Sequence, residues 1–139
     1  MLYRVYNISK KKWIYNVCLT PDGQLFALKQ PIFGKTKSLV ELSQNTHVYH
    51  KSIDLWDKNE KQIFEGDIIK AQVADNREVI GLVTFASELS AYIILCDKTN
   101  EYFTLGDSVC SYIEIIGNVF DGYKEDEKDG QQALQESEV

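Results

Sequence analysis

The chain has 139 residues, of which 44% are hydrophobic and 26% charged, and its formal net charge is −6. This length suits one domain that buries a core without disulfide or metal support, and the acidic charge argues against general coating of nucleic acid. No apolar run has the length of a membrane-spanning helix, and the N-terminus lacks the apolar core of a signal peptide. Three cysteines without paired spacing fit a reducing compartment. We therefore expect a cytoplasmic protein without membrane contact.

Charge is unevenly distributed along the chain. Residues 1–40 carry seven basic side chains and one acidic one, whereas residues 121–139 carry two basic and seven acidic ones. The basic first quarter has two interpretations. It forms a local patch for nucleic acid, or the acidic remainder neutralises it within one subunit or between subunits.

The N-terminal region has the pattern of short strands separated by turns. Its strand candidates are rich in aromatic and β-branched residues, and Pro21-Asp22-Gly23 is a turn signal. These features predict an N-terminal meander over residues 1–37. The segment 45–52 is polar and without pattern, so no strand is predicted there. The predicted strands of this region are 3–8, 13–19, 24–29, 39–42 and 53–56.

The second half of the chain predicts more strands and no long helix, because no 3.6-residue apolar period is sustained. Its predicted strands are 62–64, 68–73, 79–85, 91–96, 101–105 and 111–120. Many short strands at this spacing favour an all-β, mainly antiparallel fold: a small, partly closed, barrel-like domain with at most short helices. We expect a single domain over residues 1–121, with its barrel-like part at 53–121. Residues 122–139 are acidic and Gln-rich and predict a disordered tail or a loose helix.

Histidines and cysteines offer little chemistry. His47, His50 and Asp54 have a spacing that suits a metal site on a helix, but two histidines in a polar loop are the favoured interpretation. Cys96 and Cys110 are nucleophile candidates. Cys96 lies in an apolar run, so a buried, inert thiol is favoured. We expect neither a metal nor a cofactor.

Acidic residues cluster in the middle of the chain, at Asp54, Asp57, Glu65 and Asp67. Paired carboxylates suit acid/base work, yet a Glu-Gly-Asp corner is also a good strand start. Gly66 accepts unusual φ angles, and Asp67 can accept hydrogen bonds from local amides. No phosphate-binding loop, nucleophile elbow, CxxC or HExxH motif is present, so we expect no enzyme activity.

Basic and aromatic residues alternate near the N-terminus and make the best binding candidates. Such a mixture can track phosphates and stack on bases, or it can be a solvated turn with its aromatic rings in the core, which we favour. The acidic tail likewise either keeps the protein in solution or imitates a phosphate backbone. The candidate binding residues are Arg4, Tyr6, Lys10, Lys11, Lys12, Trp13, Lys35 and Lys37.

Two motifs together resemble the YopX family of phage and prophage proteins. One runs from Asp57 through Glu65-Gly66-Asp67 to Lys70, and the other is Ile115-Ile116-Gly117-Asn118-Val119-Phe120. The opening Tyr3-Arg4-Val5-Tyr6-Asn7 is also similar, so the likeness spans most of residues 1–121. The chain departs from the family in having Asn59-Glu60 where Asn-Gly is usual, and Gly122-Tyr123 where Asn-Pro is usual. The resemblance implies structural roles for Glu65, Gly66, Asp67, Gly117 and Asn118, and it transfers no catalytic residue.

The resemblance implies a non-enzymatic phage or prophage accessory protein in the bacterial host cytoplasm. We expect it to bind a host or phage protein, as a homo-oligomer. One alternative is an inhibitor of a host defence or nucleic-acid-processing system, acting by steric block or mimicry. A second is a small nucleic-acid- or nucleotide-binding β-barrel that uses the basic N-terminal residues.

Overall fold

A computed structural model of the chain describes residues 2–29, 38–105 and 111–123. These residues form thirteen strands, and their one helical element is a 3-10 turn at Ala74–Asn76. Every strand pairing given for them is antiparallel. The predicted all-β antiparallel fold is therefore confirmed. In this described part of the chain, no helix has the length and apolar character needed to cross a bilayer.

The chain divides into two compact units, residues 1–54 and residues 55–139. We call them the N-terminal and C-terminal units. The boundary falls between Asp54 and Leu55. The prediction of a single domain over residues 1–121 stays a prediction.

The N-terminal unit contains two small sheets. Strands β1 and β2 pair with each other, and β1 also pairs with β6; strands β3, β4 and β5 form the second sheet in that order. Leu25 on β4 and Val5 on β1 are almost completely buried and belong to the core of this unit. The strands are β1 (Tyr3–Asn7), β2 (Lys12–Ile14), β3 (Val17–Leu19), β4 (Leu25–Lys29), β5 (Ser38–Leu42) and β6 (His47–Trp56).

Two details of this unit differ from the predicted strands. The single strand predicted at 13–19 is two strands in different sheets, because the chain leaves the first sheet after Ile14 and Val17 pairs with Ala27. The patternless segment 45–52 contains the first half of β6, which pairs along all of β1. Pairing supplies its backbone hydrogen bonds, so polar side chains are tolerated there.

The C-terminal unit is built on one six-stranded sheet with the order β11-β10-β9-β8-β12-β13, which curves as a half-barrel. Ile69, Val83 and Ile94 on one sheet face are at most 1% exposed. Burial of each such side chain stabilises the fold by about 1.5–3 kcal/mol. The strands are β7 (Gln62–Phe64), β8 (Asp67–Val73), β9 (Arg77–Ala86), β10 (Ala91–Cys96), β11 (Glu101–Thr104), β12 (Ser111–Asn118) and β13 (Gly122–Tyr123).

Turns in the C-terminal unit lie where the sequence places them. The 3-10 turn joins β8 to β9, and residues 97–100 join β10 to β11 in a hairpin that pairs Cys96 with Glu101. Asn76 and Asn100 adopt positive φ angles of 58° and 56°, which asparagine tolerates better than most residues. Gly122 and Tyr123, predicted to begin the tail, pair with the end of β12. The rest of the tail predicted at 122–139 lies outside the described residues.

Candidate functional site

Asp57 organises the turn that precedes β7. Its Oδ1 accepts hydrogen bonds from the backbone N–H groups of Asn59 and Lys61, both at 2.9 Å, and its Oδ2 accepts one from Ile115 at 3.1 Å. The Lys58 N–H donates to the Ile113 carbonyl at 2.8 Å. One carboxylate therefore closes the turn and attaches it to the edge of β12.

These contacts also set the acidity of Asp57, which is only 6% exposed. Burial by itself opposes ionisation, but the backbone N–H groups of Ile115, Lys61 and Asn59 stabilise the carboxylate, and the Lys61 charge adds to them. The net result is a pKa below the ordinary aspartate value. Asp57 is therefore ionised at neutral pH and acts as a hydrogen-bond acceptor for the backbone of this turn.

The corner that joins β7 to β8 is held in a similar way. Gly66 adopts a φ of 84°; its N–H donates to the Val83 carbonyl at 2.9 Å, and its own carbonyl accepts the Val119 N–H at 2.8 Å. Asp67 is 1% exposed, and its Oδ2 accepts the Phe64 N–H at 2.8 Å. The glycine is required because a side chain is strained at this φ.

The remaining residues of the two motifs also serve the backbone. The Tyr92 hydroxyl donates to Glu65 Oε1 at 3.3 Å. Asn118 Oδ1 accepts the N–H groups of Phe120 and Asp121 and so shapes the turn after β12. Gly117 lies so close to β13 that a Cβ there would collide with the Gly122 carbonyl and with Tyr123.

A groove lies on the C-terminal unit's sheet, on the face opposite the buried Ile69 and Val83. We call it the sheet groove; it has a volume of about 520 Å³. Its floor consists of four aliphatic side chains brought together by the register of β8, β9 and β10. Aliphatic floors of this size are typical of sites that bind another molecule. The floor residues are Ile68, Ile80, Leu82 and Leu95.

The edge of the sheet groove, which we call its rim, carries charges of both signs. Its Arg77 and Glu101 belong by register to the other face of the sheet, because Arg77 pairs with Val73 and Glu101 with Cys96. Arg77 Nη2 donates to Glu101 Oε2 at 2.8 Å, and this contact lowers the pKa of Glu101. Lys98 and Glu78 also line the rim, and Val119 lies beside it with half of its surface exposed. The sheet groove therefore combines an apolar floor with polar edges.

The sequence of β9 indicates this groove, although predicting the strand does not require that feature. The run Val79-Ile80-Gly81-Leu82-Val83 is apolar at successive positions, so both faces of β9 are apolar. Such a strand is typical of a sheet covered on both sides. One of these faces is covered by the core, and the other forms the floor of the groove.

In the N-terminal unit, basic and aromatic side chains meet on one face of the β1-β2-β6 sheet. Arg4 and Tyr6 are each 6% exposed, and the Arg4 guanidinium carbon lies 4.3 Å from the Trp13 ring centroid. Tyr6 contacts Trp13 edge to face, with centroids 4.9 Å apart. Strand register brings these side chains together, because Tyr6 is paired with Trp13 and Arg4 is paired with His50 on neighbouring strands. We call Arg4, Tyr6, Trp13 and His50 the Trp13 cluster.

His50 is a neutral member of the Trp13 cluster. Its burial first, and the neighbouring Arg4 charge second, lower its pKa from 6.5 to about 4. Nδ1 lies 3.4 Å from Arg4 Nη2, so an unprotonated ring can accept the guanidinium N–H. Face contacts with an aromatic ring and a neutral imidazole are favourable surroundings for a buried guanidinium.

The other predicted binding residues are more dispersed. Lys10, Lys11 and Lys12 are exposed, but Lys12 lies on the sheet face opposite Trp13 because successive strand residues alternate. Lys35 and Lys37 fall outside the described residues. The structure thus brings Arg4, Tyr6 and Trp13 together and leaves the lysines around the β1–β2 turn.

The residues considered for metal or thiol chemistry do not converge. His47 and His50, three apart on a strand, lie on opposite faces, and His47 Nδ1 is 2.9 Å from the Ser43 carbonyl oxygen. No three metal-ligating side chains cluster within 2–29, 38–105 and 111–123. Cys96 is buried, which raises its pKa, and Cys18 is exposed. Cys110 is not among the described residues.

The fold and both motifs agree with comparisons to known proteins. The family model described as YopX protein matches residues 2–123, so the chain belongs to the YopX family. The resemblance seen in the sequence is confirmed. No curated protein matches the chain by sequence.

Two solved structures are similar. Protein yopX from Bacillus subtilis has a TM-score of 0.59 at 16% identity, over 86% of this chain and 93% of that one. Protein EF1440 from Enterococcus faecalis has a TM-score of 0.49 at 20% identity, over 86% and 92%. At such identities the first likeness shows a shared fold alone.

Proposed function

We propose that this chain is a non-enzymatic phage or prophage protein that binds another protein through the sheet groove and works as a homo-oligomer. The observation that carries the proposal is the floor of the groove, where four aliphatic side chains lie together within a single concave site. Apolar centres with polar rims are the usual anatomy of protein interfaces. Family membership supports the accessory role but assigns no partner.

Charge favours a protein partner over a nucleic acid at this groove. Residues 55–139 contain seven basic and 18 acidic side chains. A net charge of that sign repels a phosphate backbone. The mixed rim of Arg77, Glu78, Lys98 and Glu101 suits a polypeptide, which offers charges of both signs.

The use of the central carboxylates supports a non-enzymatic role. Asp57 and Asp67 are buried acceptors of backbone hydrogen bonds. A catalytic carboxylate needs access to a substrate and a pKa suited to proton transfer. Glu65 accepts a hydrogen bond from the Tyr92 hydroxyl.

The test is substitution of the groove by charge. Leu95→Lys and Val119→Lys place a cation at the floor and the rim; these side chains are 37% and 51% exposed, so the fold tolerates the change. Leu89→Lys is the matched control, since Leu89 is 45% exposed and does not line the groove. For each variant, proteins captured from host lysate are identified by mass spectrometry. The molar mass of each variant is measured by light scattering.

We expect both groove variants to lose the captured protein or the oligomer, while Leu89→Lys retains it. Each variant's unfolding curve is recorded so that loss of folding is separated from loss of binding. Capture is repeated with a chain shortened after Tyr123. The difference from the full chain gives the contribution of the acidic tail. The identity of the protein separates an accessory role from inhibition of a host defence system. Equal capture and equal mass for all variants would reject the groove as the binding site.

A further inference from the structure

The N-terminal unit has a charge opposite to that of the C-terminal unit. Residues 1–54 contain eight basic and three acidic side chains, a net of +5, whereas residues 55–139 carry a net of −11. The total of −6 conceals this division. A polyanion is therefore attracted to the first unit although the whole chain is acidic.

An aromatic platform lies on this basic unit. Tyr15 is 60% exposed, and its ring is nearly parallel to that of Trp13, at an interplanar angle of 28° and a centroid distance of 6.4 Å. Tyr6 and the Arg4 guanidinium contact Trp13 from the buried side. Trp13 is thus held by the core, and Tyr15 presents an open ring beside it.

Two lysines lie in the turn that precedes this platform in the chain. The turn between β1 and β2 is fixed because Asn7 Oδ1 accepts the Lys10 N–H at 3.1 Å and the Ile8 N–H donates to the Thr46 carbonyl at 2.8 Å. Lys11 has a positive φ of 55° in this turn. Lys11 and Tyr15 are four positions apart in the chain, a span of at most about 13 Å that a few nucleotides cover.

We propose that the N-terminal unit binds single-stranded nucleic acid. A base stacks on the exposed ring of Tyr15, backed by Trp13, and the adjoining phosphates contact Lys10 and Lys11. Base-on-aromatic stacking combined with nearby cations is the general way in which proteins hold single strands. A duplex is excluded from this contact because its bases are already stacked on one another. This inference is independent of the proposed function, which concerns the sheet groove.

Fluorescence anisotropy of a labelled oligothymidylate of about 12 nucleotides tests the proposal. Titrations use the full chain in about 50 mM and about 200 mM salt, with the equivalent RNA and a duplex of the same length. Tyr15→Ala is compared with Tyr102→Ala, whose ring is 55% exposed in the C-terminal unit. Lys10→Glu combined with Lys11→Glu is compared with Lys58→Glu combined with Lys61→Glu, which makes the same change of charge at two exposed lysines of the C-terminal unit.

We expect Tyr15→Ala to weaken single-strand binding by about 5- to 150-fold, the range of one stacked base. The lysine double variant abolishes binding in the higher salt and reduces the salt slope. The two control variants change affinity by less than about two-fold. In a Trp56→Phe variant Trp13 is the remaining tryptophan, so we expect the oligonucleotide to alter its fluorescence.

Several outcomes would overturn the proposal. One is that the oligonucleotide does not bind in the lower salt. Another is that Tyr15→Ala and Tyr102→Ala lower the affinity equally. Duplex binding as tight as single-strand binding would leave only nonspecific attraction to lysines. If Tyr15→Ala instead changes the oligomer mass or the captured protein and leaves oligonucleotide affinity unchanged, the platform is a protein contact.

Discussion

Buried charge is accommodated differently in the two units. In the C-terminal unit the buried groups are carboxylates, Asp57 and Asp67, and they accept hydrogen bonds from backbone N–H groups. In the N-terminal unit the buried group is the Arg4 guanidinium, which contacts the rings of Trp13 and His50. The carboxylates therefore fix the path of the chain, whereas the guanidinium fixes the positions of side chains. Substitution of the buried carboxylates should therefore lower stability most. Substitution around the buried guanidinium should mainly change the pH response or binding.

The largest effect is expected at Asp57. Asp57→Ala removes the acceptor of three N–H groups, and each buried donor left without a partner costs about 1–3 kcal/mol. We expect the free energy of unfolding to fall by about 3–5 kcal/mol, allowing for partial hydration of the turn. Urea denaturation measures this loss.

Glu88→Ala is the control for this substitution, because Glu88 is exposed in the turn after β9. It should change stability by less than about 0.5 kcal/mol. Because the folded pKa of Asp57 is lowered, its contribution is present above pH of about 4 and is lost as the pH falls through the folded value. A loss below about 1 kcal/mol on Asp57→Ala would show that the turn is not held by this carboxylate.

A pH-dependent effect of intermediate size is expected at His50. Its folded pKa is about 4 and its ordinary value is 6.5, so the unfolded chain binds a proton in this interval and the folded chain does not. Stability should therefore decrease as the pH is lowered from about 6.5 to about 4, by up to about 3 kcal/mol. Unfolding curves at several pH values measure the slope.

His50→Gln should remove this slope, because glutamine keeps a hydrogen-bonding group near Arg4 without a titrating proton. His47→Gln, on the opposite sheet face, should retain it. If the two variants show the same pH dependence, His50 is not the group that causes the slope.

A smaller effect is expected from Gly66→Ala. The φ of 84° strains an alanine, at a cost of about 1–2 kcal/mol. Gly66→Asn should cost less, because asparagine tolerates positive φ angles. Thermal unfolding of the two variants checks the order, and a reversed order would mean that space and not backbone angle restricts this corner.

The smallest effect is expected from Arg77→Gln at the rim of the sheet groove. Arg77 and Glu101 are 52% and 37% exposed, so solvent screens their pairing and its loss should cost less than about 1 kcal/mol. Stability is compared in low and high salt. A larger, salt-independent loss would indicate that the rim supports the sheet and is not simply a surface pair.

Most strands and turns were predictable because they depend on local pattern. The alternating pattern of β8 predicted a strand, and the turn residues at 97–100 predicted a hairpin. The Glu65-Gly66-Asp67 corner predicted a strand start. The first half of β6 was not predictable in this way, because its polar residues are held by pairing with β1, some forty residues distant. The sequence named Arg4, Tyr6 and Trp13 as binding candidates but did not assign Tyr15 and His50 to the same surface.

By itself the sequence determined an all-β antiparallel chain, its family and the residues of two backbone motifs, because these follow from side-chain periodicity, turn chemistry and short motifs. Only the tertiary structure decided which side chains share a face. Strand register placed Arg4 beside His50 and aligned Ile68, Leu82 and Leu95 across three strands. Register depends on hydrogen bonds between distant segments, and shifting it by one residue moves every side chain to the other face of the sheet. Both proposed binding surfaces therefore depend on register.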